Sequence, residues 1–180
     1  MTDKKSSVKS DFILPIGVLT CICFVVALLL GIVNSFTAPV IKEAAEKRAQ
    51  EARLEVMPDA DGFTEISCEN PPSTIKEVYK ADNGAGYVFM ITCKGYGGDM
   101  ELICGVDMDG RITMCKTLSH SETAGMGAKT ADDPYRNQYV GKDESLDGVS
   151  AITGATISSN SYYNAIKDVF TAYNAVKEGK

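Results

Sequence analysis

The fold is decided by residues 75–118, which read IKEVYKADNGAGYVFMITCKGYGGDMELICGVDMDGRITMCKTL. Short runs rich in Val, Ile, Tyr and Phe alternate there with turn sequences that contain Gly and Asp. β-Branched and aromatic residues favour strands, and Asp109-Gly110 between two apolar runs is a strong hairpin signal. Because every connection is short, the segment predicts an antiparallel meander. The predicted strands cover residues 75–80, 86–94, 100–106 and 111–118.

A long C-terminal helix is predicted after the sheet. Its apolar residues recur at helical spacing and form one stripe, and Ser158 or Ser159 is the predicted N-cap. A polar loop at 119–129 and a short helix at 132–139, with Pro134 in its first turn, precede it. A helix that covers one face of an antiparallel sheet gives an α+β domain. The stripe consists of Tyr162, Ala165, Ile166, Val169, Phe170, Tyr173 and Val176.

Small residues and hydroxyls are concentrated at 153–159, TGATISS, directly before that helix. Unpaired N–H groups and the positive end of the helix dipole favour an anion there, and glycine permits close approach of the backbone. Ser and Thr at a helix start are more often plain caps. The segment is therefore compatible with a phosphate site without requiring one.

The six residues at 153–158, TGATIS, resemble the flavinylation motif of the FMN-binding domain family, Ser/Thr-Gly-Ala-Ser/Thr-x-Ser/Thr. In that family a flavin transferase moves FMN from FAD onto the final hydroxyl and forms a phosphoester. The resemblance implies Ser158 as the residue that carries covalent FMN. The other motif positions, which it implies as cofactor-binding, are Thr153, Gly154, Ala155 and Thr156.

Three further segments resemble the same family in the same order: GYGG at 95–98, HSETAGMGAK at 120–129 and QYVGK at 138–142. The middle segment lies against the flavin in the family. The resemblance therefore implies cofactor contacts from four of its residues, which are Glu122, Thr123, Gly125 and Gly127.

Four positions depart from the family pattern. Ser158 stands where threonine is common, but serine keeps the hydroxyl nucleophile. Ser150 stands where an acidic residue is frequent, and Asp147 lies just upstream. Ala124 and Met126 replace a proline and a leucine that are often found in the loop.

The N-terminal part of the chain predicts a membrane anchor. Residues 12–41 contain no charged side chain, and 12–36 are predicted to form a transmembrane helix. Twenty-five residues at about 1.5 Å each span roughly 37 Å, enough for a hydrocarbon core of about 30 Å. A cleaved signal peptide, the alternative, usually has an apolar region of about 7 to 15 residues. The predicted domains are a cytoplasmic tail at 1–11, this helix, a helical stalk at 37–61 and an FMN-binding domain at 62–180.

Basic residues do not fix the orientation of this anchor. Three lysines before the span are matched by Lys42, Lys47 and Arg48 after it. The short tail favours an N-terminus inside the cell, which places the C-terminal domain on the extracytoplasmic side of the plasma or inner membrane.

When the N-terminal anchor is considered together with these segments, most of the chain resembles the G subunit of Rnf-type electron-transport complexes. The related C subunit of the sodium-pumping quinone reductase has the same plan. It implies a single-pass electron-transfer subunit of a ferredoxin:NAD oxidoreductase that translocates Na⁺ or H⁺. The implied partners are the other membrane and iron–sulfur subunits and the flavin transferase. The alternatives are a stand-alone anchored flavoprotein for extracellular electron transfer or sensing, and an anchored binding module without flavin.

Charge and composition bear on other classes of function. The chain has 18 basic and 24 acidic residues, of which 15 basic and 22 acidic residues follow the predicted span. The part beyond the span therefore has a net charge of −7, and no nucleic-acid partner is expected for it. No cysteine pair has C-x-x-C spacing and the chain has one histidine, so no zinc or iron–sulfur site is predicted. The cysteines are predicted to be buried thiols, and the sequence also permits disulfides among the cysteines beyond the span. Those cysteines are Cys68, Cys93, Cys104 and Cys115.

No residue is predicted to act as a catalytic acid or base. His120 and Glu122 lie together in the polar loop, but an electron relay needs no general base acting on a substrate. Tyr96, Tyr135 and Tyr139 are predicted to be packing residues. The alternative for one of them is a position against the flavin ring.

Overall fold

The computed structural model describes residues 7–179, with side chains from residue 15 onward. Its first element is α1, a helix of 50 residues (Ser7–Val56). From Pro15 on, α1 is long and apolar enough to cross a membrane. Residues 1–6 of the predicted tail lie outside the described residues.

Contacts divide the chain into two compact units between Lys47 and Arg48. The last turns of α1, at 48–56, therefore belong to the second unit together with the sheet and the C-terminal helix. The domain boundaries predicted at 36 and 61 remain predictions.

The second unit contains one five-stranded antiparallel sheet in the order β1-β2-β3-β4-β5, which confirms the predicted meander. The strand β1 was not predicted, since FTEI has only four residues and no clear alternation of apolar and polar side chains. The strands are β1 (Phe63–Ile66), β2 (Ile75–Ala81), β3 (Gly86–Lys94), β4 (Asp99–Asp107) and β5 (Ile112–His120).

The β4–β5 hairpin has the chemistry expected of its Asp-Gly turn. Asp107 Oδ1 accepts the backbone N–H of Asp109 at 2.9 Å and that of Arg111 at 2.8 Å. Gly110 has a φ of +79°, a left-handed conformation that glycine adopts without steric cost. The turn therefore fixes the register of the two strands.

The region between the sheet and the last helix differs from its prediction in detail. β5 continues to His120, so the polar loop is shorter than predicted. A 3₁₀ turn (Gly127–Ala131) and the one-turn helix α2 (Asp133–Arg136) follow. The helix α3 (Thr156–Lys177) begins before Ser158, so the predicted N-cap at Ser158 or Ser159 is wrong. Ala155 occupies the N-cap position without a capping side chain.

Helices cover both faces of the sheet. The apolar stripe of α3 packs on one face in a core that includes Phe89 and Leu102, and only Val176 of the stripe is partly exposed. The end of α1 packs on the other face, where Val56 contacts a cluster that includes Val88 and Ile103. The second cover was not predicted, because the charged residues around Val56 indicated a solvated stalk.

Truncating Val56 tests how much the end of α1 contributes to this unit. Val56 is fully buried, so Val56→Ala is expected to lower the free energy of unfolding by about 2 kcal/mol through lost apolar contact and a residual cavity. Denaturant unfolding of the full chain in detergent, followed by circular dichroism, measures this change. Leu54→Ala is the control, since that side chain is 44% exposed; equal losses from the two variants would contradict the packing role.

Candidate functional site

The TGATIS segment forms the entry to α3. Gly154 has a φ of +83°, which turns the chain into the helix. The first helical hydrogen bond runs from Ser159 N to Ala155 O at 2.9 Å. The three preceding amides, at Thr156 to Ser158, are therefore in the first turn and have no intrahelical acceptor. These N–H groups and the helix dipole make the segment suited to an anion.

Ser158 is held by a carboxylate from a distant loop. Its side chain is 1% exposed, and its Oγ donates a hydrogen bond to Glu122 Oε2 at 2.6 Å. The other carboxylate oxygen, Oε1, accepts the backbone N–H of Gly97 at 3.0 Å. Glu122 is itself 9% exposed. It therefore joins the β3–β4 turn to the start of α3 through two charge-assisted hydrogen bonds.

Glycines surround this carboxylate because no side chain fits beside it. A Cβ at Gly95 would lie 2.0 Å from Glu122 Oε1, and one at Gly127 would lie 2.0 Å from Oε2 and 2.9 Å from Ser158 Oγ. A Cβ at Gly97 would lie 2.2 Å from a backbone oxygen of the loop that carries Glu122. All of these distances are too short for a real side chain, so the three glycines are required for the Glu122–Ser158 contact.

A cavity of about 430 Å³ opens next to the pair. Exposed apolar side chains form part of its wall, and their exposed fractions are 72% for Tyr96, 53% for Met126 and 60% for Ile157. Its full lining is Tyr96, Glu122, Thr123, Met126, Gly127, Gly154, Ala155, Thr156, Ile157 and Ser158.

The chemistry of this cavity fits a flavin mononucleotide. Pockets for molecules of this size are usually about 300 to 1,000 Å³, mostly apolar, with a few polar groups that fix orientation. The first turn of α3 provides N–H groups for a phosphate. Tyr96, Met126 and Ile157 provide the aromatic and apolar surface that a planar ring system needs.

The structure brings most of the predicted site residues to this cavity. Seven of the nine line it, and the remaining two, Thr153 and Gly125, lie in the same segments without lining it. Met126 and Ile157 were not predicted as site residues, and no sequence signal distinguished them from other exposed apolar residues. Tyr96 was predicted as a packing residue and was one of three tyrosines considered for lining the flavin ring. Gly95 and Gly97 belong to the GYGG segment, which was interpreted as a turn and as a point of resemblance to the family, but no role at the site was predicted for them.

His120 supports the loop rather than the cavity. Its Nδ1 accepts the backbone N–H of Glu122 at 3.3 Å, and it lies at the end of β5. The structure therefore places the ring of His120 on the main chain of Glu122.

Two of the three noted tyrosines lie in the core. Tyr135 and Tyr139 are buried, and burial raises the pKa of both phenols, which keeps them protonated. The Tyr135 hydroxyl donates to Ser159 O at 3.0 Å, which fixes the backbone beside Ser158. Tyr96 differs, since it is exposed at the rim of the cavity.

The cysteines of the second unit are free thiols in the structure. Cys104 and Cys115 lie opposite each other on β4 and β5, with their Sγ atoms 3.1 Å apart, and burial raises the pKa of the Cys115 thiol. Among the residues that the structure describes, no three His, Cys, Asp or Glu side chains are grouped to hold a metal ion.

Comparison with known proteins gives a family match over this region. The profile of the FMN-binding domain matches residues 95–171. This range includes the GYGG turn, the loop that carries Glu122 and most of α3. The G subunit of the proton-translocating ferredoxin:NAD⁺ oxidoreductase complex of Clostridium ljungdahlii is 32% identical over 178 residues, 90% of this chain and 91% of the relative. The G subunit of the Na⁺-translocating complex of Acetobacterium woodii is 27% identical, over 96% of this chain and 97% of the relative.

A solved structure supports the fold. NqrC of Shewanella oneidensis has a TM-score of 0.50 and 21% identity to this chain, over 68% of this chain and 74% of NqrC. At this identity the likeness concerns the fold alone. The apolar α1 and the relatives from ion-translocating complexes together indicate that the chain is anchored in a membrane.

Proposed function

This chain belongs to the family of G subunits of ion-translocating oxidoreductase complexes, and from that premise we propose that it carries FMN as a phosphoester on Ser158 and relays electrons within a ferredoxin:NAD⁺ oxidoreductase complex. The FMN-binding domain and the G-subunit relatives support the electron-transfer role. The coupling ion is Na⁺ or H⁺, since one relative is named for each.

One observation carries the attachment to Ser158. The last hydroxyl of the TGATIS motif lies in the first turn of α3 and at the wall of the cavity, where an anion is stabilised. The N–H groups of residues 156–158 in the first turn of α3, with the rest of the motif beside them, would hold the phosphate. The loop from Glu122 to Gly127 would form the opposite wall. Bound there, FMN supplies the acceptance and release of electrons, while the protein sets its position and surroundings.

A covalent link has a physical use in this setting. We place the domain on the extracytoplasmic side, where a dissociated cofactor would be lost by dilution. A tethered cofactor stays at its site whatever the affinity of the cavity. The proposed partners are the other membrane and iron–sulfur subunits of the complex, together with a flavin transferase for maturation.

Peptide mass spectrometry tests this proposal directly. The protein is isolated from its native membrane, digested, and the peptide that contains Ser158 is weighed and fragmented. We expect a mass increased by FMN minus one water, with the fragment ions placing the addition on Ser158. A peptide with its unmodified mass would overturn the attachment, and recovery of the chain without any iron–sulfur subunit would overturn the proposed partners.

A further inference from the structure

We propose that Glu122 is the base that takes the proton of the Ser158 hydroxyl when the flavin phosphate is attached. This inference rests on the proposed attachment to Ser158. A serine hydroxyl is a weak nucleophile at neutral pH and needs an adjacent base to become reactive. The fold supplies a carboxylate at the required atom.

The geometry points the carboxylate at the reacting oxygen. Glu122 Oε2 lies 2.6 Å from Ser158 Oγ, within the range for direct proton transfer. The second oxygen is occupied by the N–H of Gly97, so the orientation of the carboxylate is fixed and Oε2 is left for the serine. The hydroxyl is the donor, which is the direction that transfer of its proton to the carboxylate requires.

Burial and packing distinguish this pair from an ordinary surface contact. A second glutamate–serine pair exists on the sheet, where Ser119 Oγ donates to Glu101 Oε2 at 2.9 Å, but both of its residues are exposed. Ser158 and Glu122 are buried, and Gly95 and Gly127 leave space that only the carboxylate fills. Removal from water strengthens the interaction between the carboxylate and the hydroxyl proton.

The step balances without oxidation or reduction. The co-reactant is FAD presented by a flavin transferase. A bond forms between Ser158 Oγ and the phosphorus of the flavin half, and the bond from that phosphorus to the bridging oxygen of the pyrophosphate breaks. AMP leaves with the electron pair of the broken bond, and the hydroxyl proton passes to Glu122 Oε2 and from there to solvent. Glu122 contacts a reacting atom and is in this sense a catalytic residue of the protein's own maturation.

The first experiment measures attachment rates on unlabelled full-length protein in detergent, mixed with flavin transferase and FAD and followed by intact mass. We expect Glu122→Gln to slow attachment at least tenfold, since general bases contribute about 10²- to 10⁴-fold. Glu101→Gln is the matched control and should react at the wild-type rate. Attachment to Glu122→Gln within about twofold of wild type would overturn the inference, because the transferase would then bring its own base. If the wild-type protein did not acquire the flavin at all, the proposed attachment to Ser158 would itself be overturned.

The second experiment separates a base from a purely structural carboxylate. Glu122→Ala leaves a space at the wall of the cavity that formate can enter. We expect added formate to accelerate attachment in this variant in proportion to its concentration, without changing the wild-type rate. This readout also decides the question if Glu122→Gln does not fold by circular dichroism. Failure of formate to accelerate attachment to folded Glu122→Ala would overturn the role as a base and leave Glu122 as a structural link between loops.

Discussion

Ser158→Ala is expected to remove covalent FMN from the protein completely. The phosphoester requires an oxygen at this position, and alanine deletes that oxygen without adding bulk to the buried site. Ser158→Thr should retain the flavin, because the motif accepts either hydroxyl. After co-expression with a flavin transferase, denaturing gels viewed under ultraviolet light show the flavin as a fluorescent band, and intact mass gives the occupied fraction.

Ser159→Ala is the matched control for this substitution. Ser159 is equally buried, but its Oγ accepts the backbone N–H of Ile152 at 3.1 Å, whereas the hydroxyl bonded to Glu122 is that of Ser158. Its loss should cost about 1 kcal/mol of stability and leave attachment intact. A fluorescent band from Ser158→Ala would show that the flavin is linked elsewhere, and loss of the band from Ser159→Ala would show that the whole helix start, rather than one oxygen, decides attachment.

Gly127→Ala is expected to reduce attachment more than tenfold while the protein stays folded. A Cβ at this position would lie 2.0 Å from Glu122 Oε2, so the carboxylate must leave its place beside Ser158. The displaced group is the end of a flexible side chain, so the stability cost should stay near the lower end of about 1 to 3 kcal/mol for an added methyl in a packed site. The attachment rate measures the first effect, and thermal unfolding of the same sample measures the second.

Gly31→Ala is a suitable control, since a Cβ there meets no atom within 4 Å. It should leave attachment unchanged and should not lower stability, since alanine is favoured over glycine within a helix such as α1. If Gly127→Ala were labelled at the wild-type rate, the position of Glu122 would have no bearing on the reaction of Ser158, and the packing around the carboxylate would need another explanation.

The sheet was predictable because its information is local. Asp109-Gly110 and the β-branched runs on both sides specify a hairpin within a few residues. The apolar stripe of α3 likewise predicts a helix from residues that are close together in the sequence. The role of the end of α1 could not be predicted, because its few buried apolar residues, such as Val56, stand among charged residues, and a charged side chain packs there as well. Arg53 shows this, with its guanidinium 3.9 Å from the centre of the Tyr79 ring.

The same distinction applies to the site. The TGATIS motif could be found since its residues are consecutive, and its likeness to a family identified the expected acceptor. The contacts that surround the acceptor join residues far apart in the chain: Glu122 is 36 positions from Ser158 and 25 from Gly97. No periodicity or spacing rule relates these positions, so their arrangement emerges only when the loops are folded together.

The three glycines around the carboxylate have a consequence for sorting sequences. A search for six small and hydroxylated residues in a row retrieves many ordinary helix starts, because such residues are favoured there for reasons unrelated to flavin. Adding the absence of a side chain at the equivalents of Gly95, Gly97 and Gly127, and an acid at the equivalent of Glu122, should separate chains that are substrates for flavin transfer from those that share only the short string.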